Sequence, residues 1–172
     1  NNVSAYSIDA KSGGLTPIAG SPFPAGGFPR SIVVDAAGKF VYVANQVSNN
    51  VSVYRINGSG ALTEINGSPF AAGVGPFSVA ISPTSPFAFV VNEGGGNISA
   101  YQIQSDGGLR SIAGSPFRAG NDPVDVIVHP SGRFAYVANQ VSSDVSAFRI
   151  GEDGTLSPLP GSPFKAGAES VC

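Results

Sequence analysis

Apolar and polar residues follow one another along much of this chain with the two-residue period of β-strands. The clearest stretch holds four such runs, which we label strands A to D: Val124–His129, Arg133–Asn139, Asp144–Ile150 and Leu156–Phe164. Strand A is apolar and β-branched, and strand D contains three prolines. Because proline cannot donate to a sheet hydrogen bond, the pattern predicts D at the outer edge and A innermost.

The connections between these runs are typical of tight turns. Strands A and B are joined through Pro130–Gly132, and strands C and D through Glu152–Gly154. Each turn carries a glycine near its tip, where a positive φ is favourable. No window shows the 3.6-residue apolar period of a helix, so the pattern predicts an all-β chain.

The pattern repeats at a fixed period. Three markers recur in one register. The first is Gly-Ser-Pro-Phe, at 20–23, 67–70, 114–117 and 161–164. The second is an aromatic-rich run that ends in Asn45, Asn92 and Asn139, and the third is Val/Ile-Ser-x-Tyr/Phe, which begins at Val3, Val51, Ile98 and Val145. The spacing is 47 residues throughout, except that an extra residue in the turn at Asp9–Gly14 displaces the first copy of the last marker by one.

Four antiparallel strands at a period of 40 to 50 residues predict a β-propeller. A β-sandwich also has short strands at about ten-residue spacing, but it gives no reason for a long repeat. The predicted units are a C-D half-blade at 1–27, blades at 28–74, 75–121 and 122–168, and the start of another blade at 169–172. Both ends then fall inside a blade, so we expect a piece of a longer propeller; self-assembly into a ring is the alternative.

Composition excludes several classes of function. Of the 172 residues 12% are charged, the net charge is −2, and no basic run exists, so nucleic-acid binding is not expected. No apolar stretch approaches about 18 residues, so no membrane span is predicted. The only cysteine is Cys172, which rules out a disulfide framework within one chain. We expect no metal and no cofactor.

The repeat markers resemble a known family. Tyr-Val-Ala-Asn at Tyr42–Asn45 and Tyr136–Asn139, preceded by Gly-Lys/Arg-Phe and followed by Val-Ser-x-Tyr/Phe, is similar to the YVTN propeller repeat. It looks most like the bacterial lactonase-like propellers grouped with 6-phosphogluconolactonase. The resemblance covers the whole chain and implies seven blades in the complete protein. The Gly-Ser-Pro-Phe strand is familiar from periplasmic or secreted members, which favours such a location over the cytoplasm.

The resemblance also implies where a site would lie. The D-to-A and B-to-C connections share the face that carries family active sites, over the central channel. Glu93 follows strand B where the other repeats have glutamine, and its carboxylate is the candidate general base. Arg30 begins a strand A and is the candidate for contacting an anionic substrate. Phe28 and Phe77 stand where the family often has histidine and arginine, and this departure lowers the expectation of catalysis.

Weaker candidates lie on the same face. Asp122 and Asp125 could contact a hydroxylated ligand or a cation, although such a pair is more often solvated or caps a turn. Asn92 is a candidate for substrate contact, but its recurrence in every repeat favours a structural role. His129, the only histidine, is expected in the A-to-B turn of the other face as a structural residue.

Two hypotheses follow from these residues. The first is a lactonase-like hydrolase that opens a sugar-derived lactone of the 6-phosphogluconolactonase type, with a small-molecule lactone or carbohydrate-like ligand as its partner. The second is a non-catalytic extracytoplasmic propeller that acts as a binding or surface scaffold. The near identity of the repeats favours the second hypothesis and the family resemblance favours the first.

Overall fold

Every regular element in residues 1–167, the part of the chain that the computed structural model describes, is a β-strand. The first four strands are short: β1 (Asn2–Val3), β2 (Tyr6–Ile8), β3 (Leu15–Pro17) and β4 (Phe23–Pro24). They pair as β1 with β4 and β2 with β3. The predicted start of a further blade at 169–172 lies outside the described residues, as does residue 168.

Three antiparallel sheets follow, one for each full repeat. The first contains β5 (Pro29–Val34), β6 (Phe40–Asn45), β7 (Asn50–Ile56), β8 (Leu62–Glu64) and β9 (Phe70–Ala71). The second contains β10 (Pro76–Ile81), β11 (Phe87–Asn92), β12 (Asn97–Ile103), β13 (Leu109–Ser111) and β14 (Phe117–Arg118). The third contains β15 (Pro123–Val128), β16 (Phe134–Asn139), β17 (Asp144–Ile150), β18 (Leu156–Pro158) and β19 (Phe164–Lys165).

The order of strands within each sheet is A-B-C-D, which confirms the predicted all-β blades. Strand D differs from the prediction because it consists of two short strands, such as β8 and β9, that both pair with strand C. The Gly-Ser-Pro-Phe turn separates them, since proline cannot continue the ladder. In this gap the Ser68 hydroxyl oxygen accepts a hydrogen bond of 2.9 Å from the amide of Val53. The same bond recurs at Ser21, Ser115 and Ser162.

The hydrophobic core lies between neighbouring sheets. Along β11, Phe87, Phe89 and Val91 pack against the third sheet, whereas Ala88 and Val90 pack against the first. Because successive strand residues point to opposite faces, one strand supplies two interfaces. Burying a side chain such as that of Phe89 contributes roughly 1.5–3 kcal/mol, so each sheet depends on both neighbours.

The three sheets follow one another in a row that we call the arc, and its two outer sides are the flanks. Side chains on these flanks show that each sheet depends on its neighbours for burial. Ile32 is 54% exposed on the side away from the second sheet, whereas its equivalent in the second repeat, Val79, is 6% exposed. At the other flank Ile127 is 56% exposed. No sheet packs over these two side chains within residues 1–167, so the flanks remain apolar surfaces.

Tyrosine hydroxyls join the first two full sheets to strand D of the preceding repeat. The Tyr54 hydroxyl donates a hydrogen bond of 2.6 Å to the carbonyl of Pro24, and the Tyr101 hydroxyl donates one of 2.7 Å to that of Ala71. Burial raises the pKa of both phenols above its ordinary value, because the charged form would lose its hydration. The third repeat has Phe148 at this position and lacks the bond.

A buried asparagine at the end of each strand B ties down the incoming D-to-A connection. The Asn92 side-chain oxygen accepts a hydrogen bond of 3.1 Å from the amide of Gly73. Its side-chain nitrogen donates to Asn97 at 2.7 Å and to Ser99 at 2.9 Å. A Cβ atom at Gly73 would lie 2.5 Å from the Asn92 nitrogen, so only glycine permits this approach.

An equivalent asparagine lies at the end of strand B in the other two repeats. Asn139 makes the same three bonds, to Gly120, Asp144 and Ser146. Asn45 also donates twice, but its buried side-chain oxygen has no hydrogen-bond partner. An unpaired buried oxygen carries a desolvation penalty, so the asparagine of the first repeat stabilises its sheet less.

We therefore expect Asn139→Ala to lower the free energy of unfolding by about 2–3 kcal/mol, and Asn45→Ala to lower it by about 1 kcal/mol less. The reason is that Asn139 loses three satisfied bonds, whereas Asn45 loses two and removes an unpaired acceptor. Urea denaturation followed by circular dichroism measures both values. Equal losses in the two variants would contradict this account of the contact.

We expect Gly73→Ala to destabilise the chain by about 1–3 kcal/mol, because the new methyl group would overlap the Asn92 amide. Gly58→Ala is the matched control, since a Cβ there meets nothing within 4 Å and the residue lies in an exposed turn. This control should change stability by less than about 1 kcal/mol. Thermal unfolding of both variants tests the difference, and a neutral Gly73→Ala would refute the steric argument.

Candidate functional site

The D-to-A and B-to-C connections lie together on one face of the arc. The amide of Gly27 donates a hydrogen bond of 2.6 Å to the Ser48 hydroxyl, and the amide of Gly75 donates one of 2.8 Å to the Asn49 side chain. These bonds join the two kinds of connection, as expected when antiparallel strands alternate in direction. The residues that begin strand A and follow strand B therefore meet on this face.

A β-bulge sets the direction of the first side chains of strand A. In β5 the pairing moves from Pro29 opposite Asn45 to Ser31 opposite Ala44, so Arg30 is the extra residue. The same shift makes Phe77 the extra residue of β10. Bulges often redirect a side chain beside a functional site, and here they bring Arg30 and Phe77 into contact.

Arg30 is held by two aromatic rings and one glutamine. Its guanidinium carbon lies 4.6 Å from the ring centre of Phe28 and 4.7 Å from that of Phe77. Its Nε donates a hydrogen bond of 2.9 Å to Oε1 of Gln46. The two terminal nitrogens have no hydrogen-bond partner among residues 1–167, so both can bind a further group.

Gln46 connects the two predicted catalytic residues. Its Nε2 donates a short hydrogen bond to Oε2 of the half-buried Glu93, while its Oε1 accepts the bond from Arg30. The other carboxylate oxygen of Glu93, Oε1, has no hydrogen-bond partner in the described part of the chain. The amide thus fixes one edge of the carboxylate and leaves one oxygen able to accept a proton.

A cavity of about 390 Å³ lies where the three innermost strands meet. Arg30, Phe77, Ser78 and Asp125 are among the residues that line it. The Ser78 hydroxyl donates a hydrogen bond of 2.7 Å to a carboxylate oxygen of Asp125, which orients that acid. The cavity therefore combines one cation, one carboxylate and an aromatic wall.

The remaining candidates are not among the residues that line this cavity. Asp122 has a φ of 50° and accepts a backbone hydrogen bond from Gln140 through its carbonyl oxygen. Asn92 is buried, and its three bonds are the contacts to Gly73, Asn97 and Ser99 described above, so its role toward a substrate stays a prediction. His129 is exposed in the A-to-B turn, where its Nδ1 accepts a 3.1 Å hydrogen bond from the Ser131 amide. Within residues 1–167 no group of three or more His, Cys, Asp or Glu side chains could hold a metal ion.

Sequence reasoning missed the parts played by Gln46, Phe28 and Phe77. Gln46 and Glu93 are 47 residues apart, as are Arg30 and Phe77, and Ser78 and Asp125. Each pair occupies equivalent positions in consecutive repeats. This spacing was the available signal, because a propeller places equivalent residues of neighbouring blades side by side.

The sequence profile described as "Lactonase, 7-bladed beta-propeller" matches residues 1–74 and 59–162 of the chain. The chain belongs to this lactonase family of seven-bladed β-propellers. No curated protein matches the chain. The family fold has seven blades, and the described residues form three complete sheets of that kind. The described residues contain no helix that could cross a membrane.

Solved structures with the same fold include lactonase-like proteins. A candidate 6-phosphogluconolactonase from Bacteroides fragilis superposes with a TM-score of 0.85 at 21% identity, over 95% of this chain and 48% of its own. A second candidate, from Bacteroides uniformis, has a TM-score of 0.84 at 19% identity, over 97% and 52%. The periplasmic gluconolactonase of Pseudomonas aeruginosa has a TM-score of 0.76 at 24% identity, over 87% and 43%. The chain spans about half the length of these proteins.

We expect Gln46→Leu to release Arg30, because the substitution removes the acceptor of its Nε–H group. The measurement is hydrogen exchange of the Arg30 Nε–H signal by ¹⁵N NMR, which should accelerate by about tenfold, corresponding to a bond of about 1.4 kcal/mol. Gln104→Leu is the matched control, since the exposed Gln104 side chain bonds only the carbonyl of Gln102 and does not line the cavity that Arg30 lines. Equal exchange rates in Gln46→Leu and the unmodified chain would show that the bond does not form in solution.

Proposed function

We propose that this lactonase-like propeller hydrolyses a lactone in the complete protein, with Glu93 as general base and Arg30 as the anion-binding residue. The observation that supports it best is the Arg30–Gln46–Glu93 chain of hydrogen bonds, which brings a cation and a carboxylate to one site. A single amide holds both, so their relative position is defined before substrate binds. Such preorganisation is what a general base requires.

The proposed reaction uses one water molecule. Oε1 of Glu93 takes a proton from water, the resulting hydroxide adds to the lactone carbonyl, and the ring C–O bond then breaks. The departing alkoxide takes the proton back from Glu93, so that lactone and water give one hydroxy acid and the carboxylate is restored. Arg30 orients an anionic substituent of the substrate through its two terminal nitrogens, and Asp125, with Asp122 and Asn92 as further candidates, contacts its hydroxyl groups.

Turnover of glucono-δ-lactone and of a lactone that carries a carboxylate substituent, each by the complete protein and with spontaneous hydrolysis subtracted, tests this mechanism. Glu93→Gln should lower kcat by about 10²- to 10⁴-fold, because the amide cannot accept the proton. Glu64→Gln is the matched control, since Glu64 lies in strand D, where its carboxylate accepts a hydrogen bond from the Ser68 hydroxyl. This variant should keep full activity. Unchanged turnover in Glu93→Gln would eliminate the mechanism. A folded protein with no turnover above background would favour the alternative, a non-catalytic binding propeller.

We also infer an extracytoplasmic location. The name of the Pseudomonas aeruginosa structure includes the word periplasmic, and this neighbour supports such a location here. Fractionation of bacterial cells that express the complete protein tests it. Recovery with a cytoplasmic marker enzyme would contradict the inference.

A further inference from the structure

The charges around the Arg30 cavity do not suit a doubly charged ligand. Arg30 and Asp125 both line the cavity, and their charges cancel. Glu93 adds a negative charge next to Arg30, since both bond the same amide of Gln46. One guanidinium therefore stands against two carboxylates. A phosphate dianion would meet twice the repulsion from these carboxylates that a monoanion meets, and the single guanidinium can neutralise a monoanion but not a dianion.

Phe28 occupies a backbone conformation that a bulky residue rarely adopts. Its φ is 57°, and the equivalent residues of the next two repeats are Gly75 and Asp122, with φ of 68° and 50°. Glycine adopts positive φ without strain and aspartate tolerates it, but a bulky side chain there is unusual and costs about 1 kcal/mol or more. The ring is nevertheless 50% exposed, so burial does not explain it. Its observed contact is with the guanidinium of Arg30.

The rings leave a particular part of Arg30 available. The ring centres of Phe28 and Phe77 lie within 4.7 Å of the guanidinium carbon, and Gln46 occupies Nε. The two terminal nitrogens have no hydrogen-bond partner among residues 1–167, and such a pair can bind a flat carboxylate through two parallel hydrogen bonds. A ligand held there lies beside Phe28 and Phe77, whose rings offer apolar contact and no hydrogen bond to sugar hydroxyls.

We propose that the Phe28–Arg30–Phe77 cluster selects a flat monocarboxylate with an apolar body, including a lactone that carries such a group, and rejects phosphorylated sugars. This inference rests on the proposed function, because it names the substrate class of the same site. It separates this chain from the activity in the names of the two Bacteroides neighbours. The two phenylalanines supply the contact with the apolar body, and the carboxylates of Asp125 and Glu93 disfavour phosphate.

Isothermal titration calorimetry on the complete protein tests the selectivity, with benzoate, inorganic phosphate and 6-phosphogluconate as probes. Benzoate should bind at least about tenfold more tightly than either phosphorylated probe. Arg30→Gln should weaken benzoate binding by about tenfold or more, and Phe28→Leu or Phe77→Leu by about three- to tenfold. Arg55→Gln is the matched control, because Arg55 lies 4.8 Å from the Phe40 ring centre, away from this cavity, and it should leave binding within twofold.

Several outcomes would overturn the inference. These are 6-phosphogluconate binding as tightly as benzoate, equal losses in Arg30→Gln and Arg55→Gln, and no benzoate binding at concentrations up to about 10 mM. If Arg30→Gln does not fold, the benzoate affinity of Phe28→Leu decides the test. This variant keeps the Arg30 charge, and the ring that it removes is half exposed. Binding is measured without turnover, so it separates the two proposals. Loss of hydrolysis in Glu93→Gln with non-selective binding would leave the proposed function standing and remove this inference.

Discussion

Apolar side chains buried between neighbouring sheets hold this protein together. The strand B of the second sheet, β11, points alternate residues to two different neighbours, so Phe89 and Val90 belong to different interfaces although they are adjacent in sequence. No sheet has a core of its own, and its stability depends on the sheets on either side. The tyrosine hydroxyls and the buried asparagines also stabilise the contact between repeats. Each bonds either a strand of the preceding repeat or the connection that leads from it.

The candidate site depends on this arrangement. Arg30 is an exposed residue at a bulge, and neither its own sheet nor its own repeat supplies all of its partners. Phe77 and Glu93 come from the second repeat, and they reach Arg30 and Gln46 because the first two sheets are packed face to face. Ser78 and Asp125 meet across the second interface in the same way. The chemistry of the site is therefore assembled between repeats, and small shifts in sheet packing would separate its charged groups.

The sequence was sufficient to predict the strands, their order and the repeat, because period-two alternation and a 47-residue spacing have few structural explanations. It did not reveal that strand D is divided, since Pro158, Pro160 and Pro163 mark an edge strand without showing where the ladder is interrupted. It identified Arg30 and Glu93 individually but not the amide between them. Gln46 looked like the unremarkable member of the set because its importance comes from its neighbour one blade away.

The uniform spacing of these contacts also affects how such a chain can change in evolution. Because the bonds between sheets join equivalent positions of consecutive repeats, an unequal crossover that removes or adds one whole 47-residue unit reconnects surfaces that still match. The scaffold therefore tolerates gain and loss of modules. The Arg30–Gln46–Glu93 combination does not, because it needs one particular repeat to follow another. Rearrangement of whole repeats can thus preserve the propeller architecture while it removes this set of polar residues. A fold of this kind can therefore persist after its catalytic site is lost.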